Sequence, residues 1–430
     1  MKSIRVGLCA LVAFAVLAQG TTEAWSEAVL EIGAALLLIW WCVIVLREDP
    51  VELRGNVLLW PLAGLWVVAM VQSVPGLSAY EFATRIEWLK GTALLVLVFL
   101  AVQSFRTAQD WREFVWFLVA LGFVASLIGI VQHFTFNGKM YWFREMKYGG
   151  IPFGPYVNRN HFAGFVELVV PPGLAMLVLR AERRDLMPLL AIFTLLPIGA
   201  LFLAASRGGI IAFFCEIIVI ILLVATRQKE WKTLATGGVL LLLVIAIVGW
   251  IGVGEALERF STYRSLEVTE ARRVEMNRDS WKIFMDHPIL GTGFGTLREV
   301  FPKYETLYDG LVVDHSHDDY VELLANAGIV GGLLGAWFLA LLFWQGARSL
   351  QSSRGTLDLA LHIGALAACA GILVHSFSDF NLHITANALL FLLLATLATS
   401  STAPPGPLAV PSSSTKAHLR GELRSAPGRR

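Results

Sequence analysis

One histidine and a few arginines are the residues of this sequence whose positions best suit a chemical reaction. His317 precedes a long apolar segment, and Arg207 interrupts another apolar stretch just before two glycines. Arg273 lies in a segment whose helical spacing places four side chains on one face, namely Arg273, Asn277, Ser280 and Trp281. An imidazole accepts protons, and guanidinium groups bind phosphate oxygens through paired hydrogen bonds. With an aromatic side chain beside them, these groups suit a phosphate attached to a sugar.

A further polar segment surrounds Arg159, at the start of an apolar run. Asn158 or Asn160 can cap the helix that follows, and Arg159 then lies at the positive end of the helix dipole. Backbone N–H groups and the guanidinium could together bind an anion there. The plainer alternatives are a capped helix at Arg159, a tight turn with a surface arginine at Arg207 and a solvated helix around Arg273.

Acidic residues surround His317. Ser316 and Asp319 have the spacing of a variant capping box, which predicts that His317 falls in the first helical turn. There the dipole favours a neutral imidazole, whereas the nearby carboxylates, including Asp318, favour the protonated ring. A metal site of His315, His317 and Asp319 and a purely structural His317 are the alternatives.

A last polar cluster precedes the final apolar run and contains His375, Ser378, Asp379, Asn381 and His383. An aspartate at such a depth usually has a partner. His383, His375 or an arginine of the long polar segment are candidates for Asp379. We expect this cluster to have a supporting role rather than a chemical one.

The composition of the chain indicates the kind of fold that holds these residues. Of 430 residues, 56% are hydrophobic and only 16% are charged, with a mean hydropathy of +0.65. This excludes a soluble enzyme, a disordered chain and an alternating β-barrel, and the net charge of +1 gives no nucleic-acid signal. The four cysteines lie in apolar runs without a Cys-x-x-Cys pair, so we expect them to pack as small apolar residues.

The fold class is therefore all-α, a polytopic membrane helical bundle of about twelve transmembrane helices. The predicted spans are 4–20, 28–46, 56–74, 88–105, 113–133, 161–179, 188–205, 209–226, 233–251, 320–345, 357–377 and 383–400. Lys and Arg in short loops favour cytoplasmic termini, which places a large loop of short helices, 252–319, and all the polar segments on the periplasmic side. A cleaved signal peptide is the alternative for the first span. We expect one membrane domain over 1–400 and a disordered cytoplasmic tail over 401–430.

At these residues the sequence resembles the family of O-antigen ligases and polymerases. Ser206-Arg207-Gly208-Gly209 is similar to the Arg-Gly pair of that family, and Arg273 is similar to its arginine in the large periplasmic loop. His317 with Gly328 and Gly331 matches the ligase pattern of His, one polar residue, nine residues, Gly, two residues and Gly. The residue after this histidine is usually Asn, Ser or Gln, whereas here it is Asp318. The resemblance covers roughly residues 140–395, the expected catalytic half.

The resemblance implies a membrane glycosyltransferase that moves a glycan from a polyprenyl-diphosphate carrier to an acceptor hydroxyl of a lipid or glycan, with inversion and without a metal or cofactor. His317 would be the catalytic base, and Arg207, Arg273 and Arg159 would bind the diphosphate. Supporting roles are expected for Asn158, Asn160, His315, Asp318, Asp379 and Trp281. A polymerase of the same family is an alternative, and a lipid-glycan transporter or flippase is the alternative of another class. The bacterial inner membrane is the expected location.

Overall fold

A computed structural model describes residues 1–47, 52–145, 152–228, 270–308, 310 and 312–401. Within these residues the chain is helical, and its only β-type pairings are two isolated bridges. The α-helices are α1 (Lys2–Leu17), α2 (Ala24–Val45), α3 (Leu59–Gln72), α4 (Glu81–Ser104), α5 (Ala108–Phe134), α6 (Arg159–Val178), α7 (Met187–Ala204), α8 (Arg207–Gln228), α9 (Glu270–Asp286), α10 (Leu297–Val300), α11 (Asp319–Ser352), α12 (Thr356–His375) and α13 (Thr385–Thr399). Two 3-10 turns, Phe301–Lys303 and Asn381–His383, complete the described elements.

Eight of these helices are long and apolar enough to cross a membrane, namely α2, α4, α5, α6, α7, α8, α11 and α12. Two further apolar helices, α3 and α13, are shorter, and α1 has 16 residues. Each predicted span except 233–251 thus corresponds to a helix, while 233–251 and the tail 402–430 lie outside the described residues. The protein is a polytopic helical membrane protein, as predicted, and eight helices within the described residues have the length and composition of a full crossing.

Helices α6 and α12 form the centre of the bundle. About four fifths of the apolar stretch of each is buried inside the protein, compared with about a sixth of α2. The two helices approach closely because Gly364 lies against the backbone of Pro172, where a side chain would not fit. Since α6 begins and α12 ends at the polar segments, this deeply buried pair of helices carries the site.

Helix α11 is interrupted at Gly328, the first glycine of the ligase-like pattern. Its φ of 61° and ψ of −161° are not helical, and a Cβ there would meet the carbonyl of Ile289. The freed backbone groups bond to the segment 288–293 instead, with the N–H of Ile329 donating to the carbonyl of Pro288 at 2.8 Å. Segment 286–295, which is rich in glycine, therefore packs against this break.

The start of α11 differs from the predicted capping box. Asp318 is the cap, and its carboxylate accepts from the backbone N–H groups of Tyr320 and Val321 at 2.9 and 3.0 Å. The helix therefore begins at Asp319, and the expectation that His317 lies in its first turn was wrong. Instead His317 has a left-handed backbone with φ of 57°, a conformation that is uncommon for residues other than glycine.

Candidate active site

His317 and Asp379 form the centre of the site. Nδ1 of His317 lies 3.1 Å from Oδ1 of Asp379, with 11% of the histidine side chain and none of the aspartate side chain exposed. A hydrogen bond at Nδ1 leaves Nε2 as the nitrogen that can accept a proton. The left-handed turn at His317 and the cap at Asp318 orient the imidazole toward the turn that follows α12.

Asp379 is surrounded by donors and positive charge. The side-chain amide of Asn160 donates to its Oδ2 at 2.7 Å, and the backbone N–H of Phe380 donates to its Oδ1 at 2.9 Å. A guanidinium nitrogen of Arg273 lies 3.9 Å from the same carboxylate. Burial alone raises the pKa of Asp379, but the hydrogen bond and charge of His317 and the charge of Arg273 hold it well below its usual value. Asp379 is therefore an ionised carboxylate.

Arg273 reaches this turn from α9. Its Nη1 donates to the carbonyl of Ser378 at 2.7 Å, which joins the polar helix α9 to the end of α12. Its Nε is buried and has no hydrogen-bond partner among the described residues. A buried N–H group without a hydrogen-bond partner costs free energy, so this nitrogen is well suited to donate to an anionic ligand.

Arg207 begins α8, after a left-handed residue at Ala205 that turns the chain between α7 and α8. Its side chain is exposed, and its neighbour Gly208 lies so close to His375 that a Cβ would be 2.6 Å from the imidazole. Nδ1 of His375 in turn lies 2.8 Å from Oε1 of Glu167 on α6. The buried His375–Glu167 pair thus packs against the turn that carries Arg207.

Phe380 lies among three imidazole rings. The ring centroids of His161, His315 and His317 lie 4.7, 4.4 and 4.9 Å from its own. His161 and His317 meet the ring edgewise, whereas His315 stacks on it. Phe380 therefore separates the His317–Asp379 pair from a second polar cluster on the side of His315.

That second cluster contains His315, Glu322, His383 and Asp319. Nδ1 of His315 lies 2.8 Å from Oε1 of Glu322, and Nδ1 of His383 lies 2.7 Å from Oδ1 of Asp319. Burial lowers the pKa of His383, but the charge of Glu322 and the hydrogen bond to Asp319 outweigh it and raise the pKa to about 9. His383 thus pairs with acids other than Asp379.

The structure brings most of the predicted residues together. Of the two asparagines predicted as caps, Asn158 caps α6, because its side chain accepts a hydrogen bond from the backbone N–H of Asn160. Arg159 is buried at the first position of that helix. Of the proposed partners of Asp379, the loop arginine lies near it, while His375 pairs with Glu167. Trp281 does not join them, because it is 46% exposed and its indole packs on Phe284 of the same helix.

Several residues of the site were not singled out from the sequence. Phe380, Glu322 and Gln72 look like ordinary helix and turn residues, although Gln72 holds segment 286–295 by donating to the carbonyl of Leu290 at 2.6 Å. Glu167 is a rare charge within the predicted span 161–179, which is the one signal in the sequence that could have identified it.

These features define a polytopic membrane protein with a histidine–carboxylate pair and an arginine converging on one turn. Such a site can remove a proton from a hydroxyl and hold an anion. Residues 192–336 match the family model described as O-antigen ligase, a range that contains Arg207, Arg273, His317 and Gly328. The match agrees with the resemblance seen in the motifs, so this part of the chain is similar to O-antigen ligases, and the described helices are those of a membrane protein. No curated protein matches the chain.

Proposed function

We propose that the protein transfers a glycan from a polyprenyl-diphosphate carrier to an acceptor hydroxyl at the periplasmic face of the bacterial inner membrane. The observation that carries this proposal is the meeting of His317, Asp379 and Arg273 at one turn. A general base and an anion-binding guanidinium are the two groups that displacement of a diphosphate by a hydroxyl requires.

His317 is the base in this proposal. With Nδ1 bonded to Asp379, Nε2 takes the proton of the acceptor hydroxyl as its oxygen attacks the anomeric carbon. Asp379 keeps the imidazole in the right tautomer and stabilises the imidazolium that forms. One displacement of this kind inverts the configuration at the anomeric carbon.

The arginines bind the leaving group. Arg273, with its unpaired Nε, and Arg207, exposed at the start of α8, stabilise the negative charge that grows on the departing diphosphate. Arg159 contributes from the first turn of α6, where the helix dipole also favours an anion. Fixed positive charge supplied in this way makes a metal ion unnecessary for the displacement.

The membrane arrangement completes the proposal. We infer about twelve spans with both termini in the cytoplasm, because the short loops rich in Lys and Arg all fall on one side. The donor then enters laterally between the helices, and the acceptor approaches from the periplasm. A transporter would instead be expected to concentrate its charges at mid-membrane in broken helices.

Glycan transfer in membranes from cells that carry only the variant protein tests this function. His317→Ala should lower the transfer of lipid-linked glycan to the lipid acceptor by about 100-fold or more. His287→Ala is the matched control, since His287 is an exposed histidine of the same polar segment. Normal transfer by a correctly folded His317→Ala protein would contradict the proposal. In vesicles, movement of intact lipid-linked glycan without transfer would instead identify a transporter.

A further inference from the structure

The cluster beyond Phe380 has the geometry of a metal site. One ring nitrogen each of His315 and His383 and a carboxylate oxygen of Glu322 all lie within 4.8 Å of one another. Oε1 of Glu322 faces both rings, 2.8 Å from Nδ1 of His315 and 3.2 Å from Nε2 of His383. Imidazoles and carboxylates are side chains that bind zinc in proteins, and a water molecule would complete a tetrahedral coordination by these three residues.

Outer contacts hold these three side chains in place. Nδ1 of His383 bonds to Asp319 at 2.7 Å, so its Nε2 is the nitrogen directed at Glu322. Oε2 of Glu322 accepts from the backbone N–H of Ser316 at 2.9 Å, and the His315 ring stacks on Phe380. A carboxylate behind a ligating histidine is the usual second shell of a zinc site, because it fixes the tautomer and increases ligand basicity.

The buried carboxylates of this cluster need positive charge, which either imidazolium rings or one bound divalent cation would supply. On α4, Lys90 pairs with Glu87 at 2.5 Å, so this ion pair balances itself. The carboxylates of Asp319 and Glu322 remain, with at most 6% of either side chain exposed, and they face two imidazoles. Neutral imidazoles would leave two buried negative charges, which one divalent cation neutralises.

The cluster is separate from the proposed reaction. His317 is bonded to Asp379 on the other side of Phe380, and none of the three ligand atoms of His315, Glu322 and His383 takes part in that bond. The cluster nevertheless connects the two segments that carry this pair, since His315 precedes His317 by two positions and His383 follows Asp379 by four. A bound ion would therefore fix these segments relative to each other without touching the substrate.

We propose that His315, Glu322 and His383 bind one divalent cation of the zinc class, with Asp319 orienting His383. The ion is structural and holds the start of α11 against the turn 381–383. Metal binding does not depend on the proposed glycan transfer, so the two can fail independently.

Metal content of the full-length protein tests the proposal directly. The protein is purified in detergent without chelators, and zinc is counted by inductively coupled plasma mass spectrometry. We expect one zinc ion per chain in the native protein, loss of the ion in Glu322→Gln and His383→Ala, and retention in the control His287→Ala. Native protein without a stoichiometric metal would overturn the proposal and show that an imidazolium–carboxylate network fills the cluster.

A second measurement on the native sequence covers the case in which the variants fail to fold. Zinc is removed with a chelator and Co²⁺ is added, which should give the visible absorption bands of a low-coordinate Co²⁺ site. Absence of these bands would contradict the proposed ligand set. Exchange of zinc for cobalt should also leave the rate of glycan transfer nearly unchanged, whereas a rate that follows the identity of the ion would place it in the reaction and overturn the structural role.

Discussion

Nδ1 of His317 lies 3.1 Å from Oδ1 of Asp379, although 62 positions separate the two residues in the chain. Asp379 is fully buried and ionised, while His317 adopts a left-handed backbone at the edge of the bundle. Backbone strain of this kind persists only where the surroundings impose it, and it is common at functional sites. The strained backbone and the buried charge together mark this pair as the centre of the candidate site.

Replacing Asp379 by Asn should lower glycan transfer by about 100-fold or more, because the imidazolium of His317 loses its counter-ion while the shape of the side chain is kept. KM for the donor should change less than kcat. Steady-state kinetics in membranes measures both. An equal loss in the rate of transfer and in the amount of folded protein would instead indicate a structural carboxylate.

The same carboxylate predicts a pH dependence of stability. Because its folded-state pKa lies well below the roughly 3.9 of an unfolded aspartate, its stabilisation is complete above that value and is lost as the pH falls toward the folded-state pKa. Thermal unfolding in detergent should show native protein more stable than Asp379→Asn at neutral pH, with the difference shrinking below about pH 4. A difference that grows on acidification would be inconsistent with an ionised Asp379.

Replacing Arg273 by Lys should reduce transfer by about 100-fold, because the lysine side chain has a single nitrogen, whereas the guanidinium of Arg273 directs separate nitrogens to the carbonyl of Ser378 and to an anion. Arg278→Lys is the matched control, since Arg278 is exposed on the same helix. Transfer assays at several donor concentrations measure the effect. Equal activity of the two variants would remove Arg273 from the binding of the diphosphate.

Replacing Gly328 by Ala should destabilise the protein by about 1–3 kcal/mol, because φ of 61° is strained for alanine and its Cβ would meet the carbonyl of Ile289. Gly91→Ala is the control, since Gly91 is a helical glycine with open space around its Cβ position, and alanine there should be neutral or stabilising. Thermal unfolding in detergent compares the two variants. A smaller effect at Gly328 than at Gly91 would mean that the break in α11 is not required.

Replacing Glu167 by Gln should destabilise the protein by about 3–5 kcal/mol, because His375 would lose the charge of its buried partner. Glu216→Gln is the matched control on the neighbouring helix α8, since both oxygens of Glu216 lack a hydrogen-bond partner among the described residues. It should be neutral or stabilising. Unfolding of both variants in the same detergent provides the comparison, and equal destabilisation would contradict the role of the Glu167–His375 pair.

Hydropathy alone predicted eleven helices that the described residues contain, because a membrane helix must satisfy its backbone within one continuous apolar run. The polar residues of interest were also visible in the sequence, since a charge beside an apolar span is rare and needs a reason. For Arg207, Arg273 and His317, the resemblance to O-antigen ligases agrees with the match over residues 192–336.

Only the tertiary structure decided which of these residues meet. Helix periodicity relates residues a few positions apart, whereas Asp379 takes partners from α6, α9 and the turn before α11. The cap at Asp318 rather than Ser316, the break at Gly328 and the position of Phe380 between two histidine clusters depend on the segment packed opposite each of them. Local sequence specifies the helices of this protein, and long-range packing specifies its chemistry.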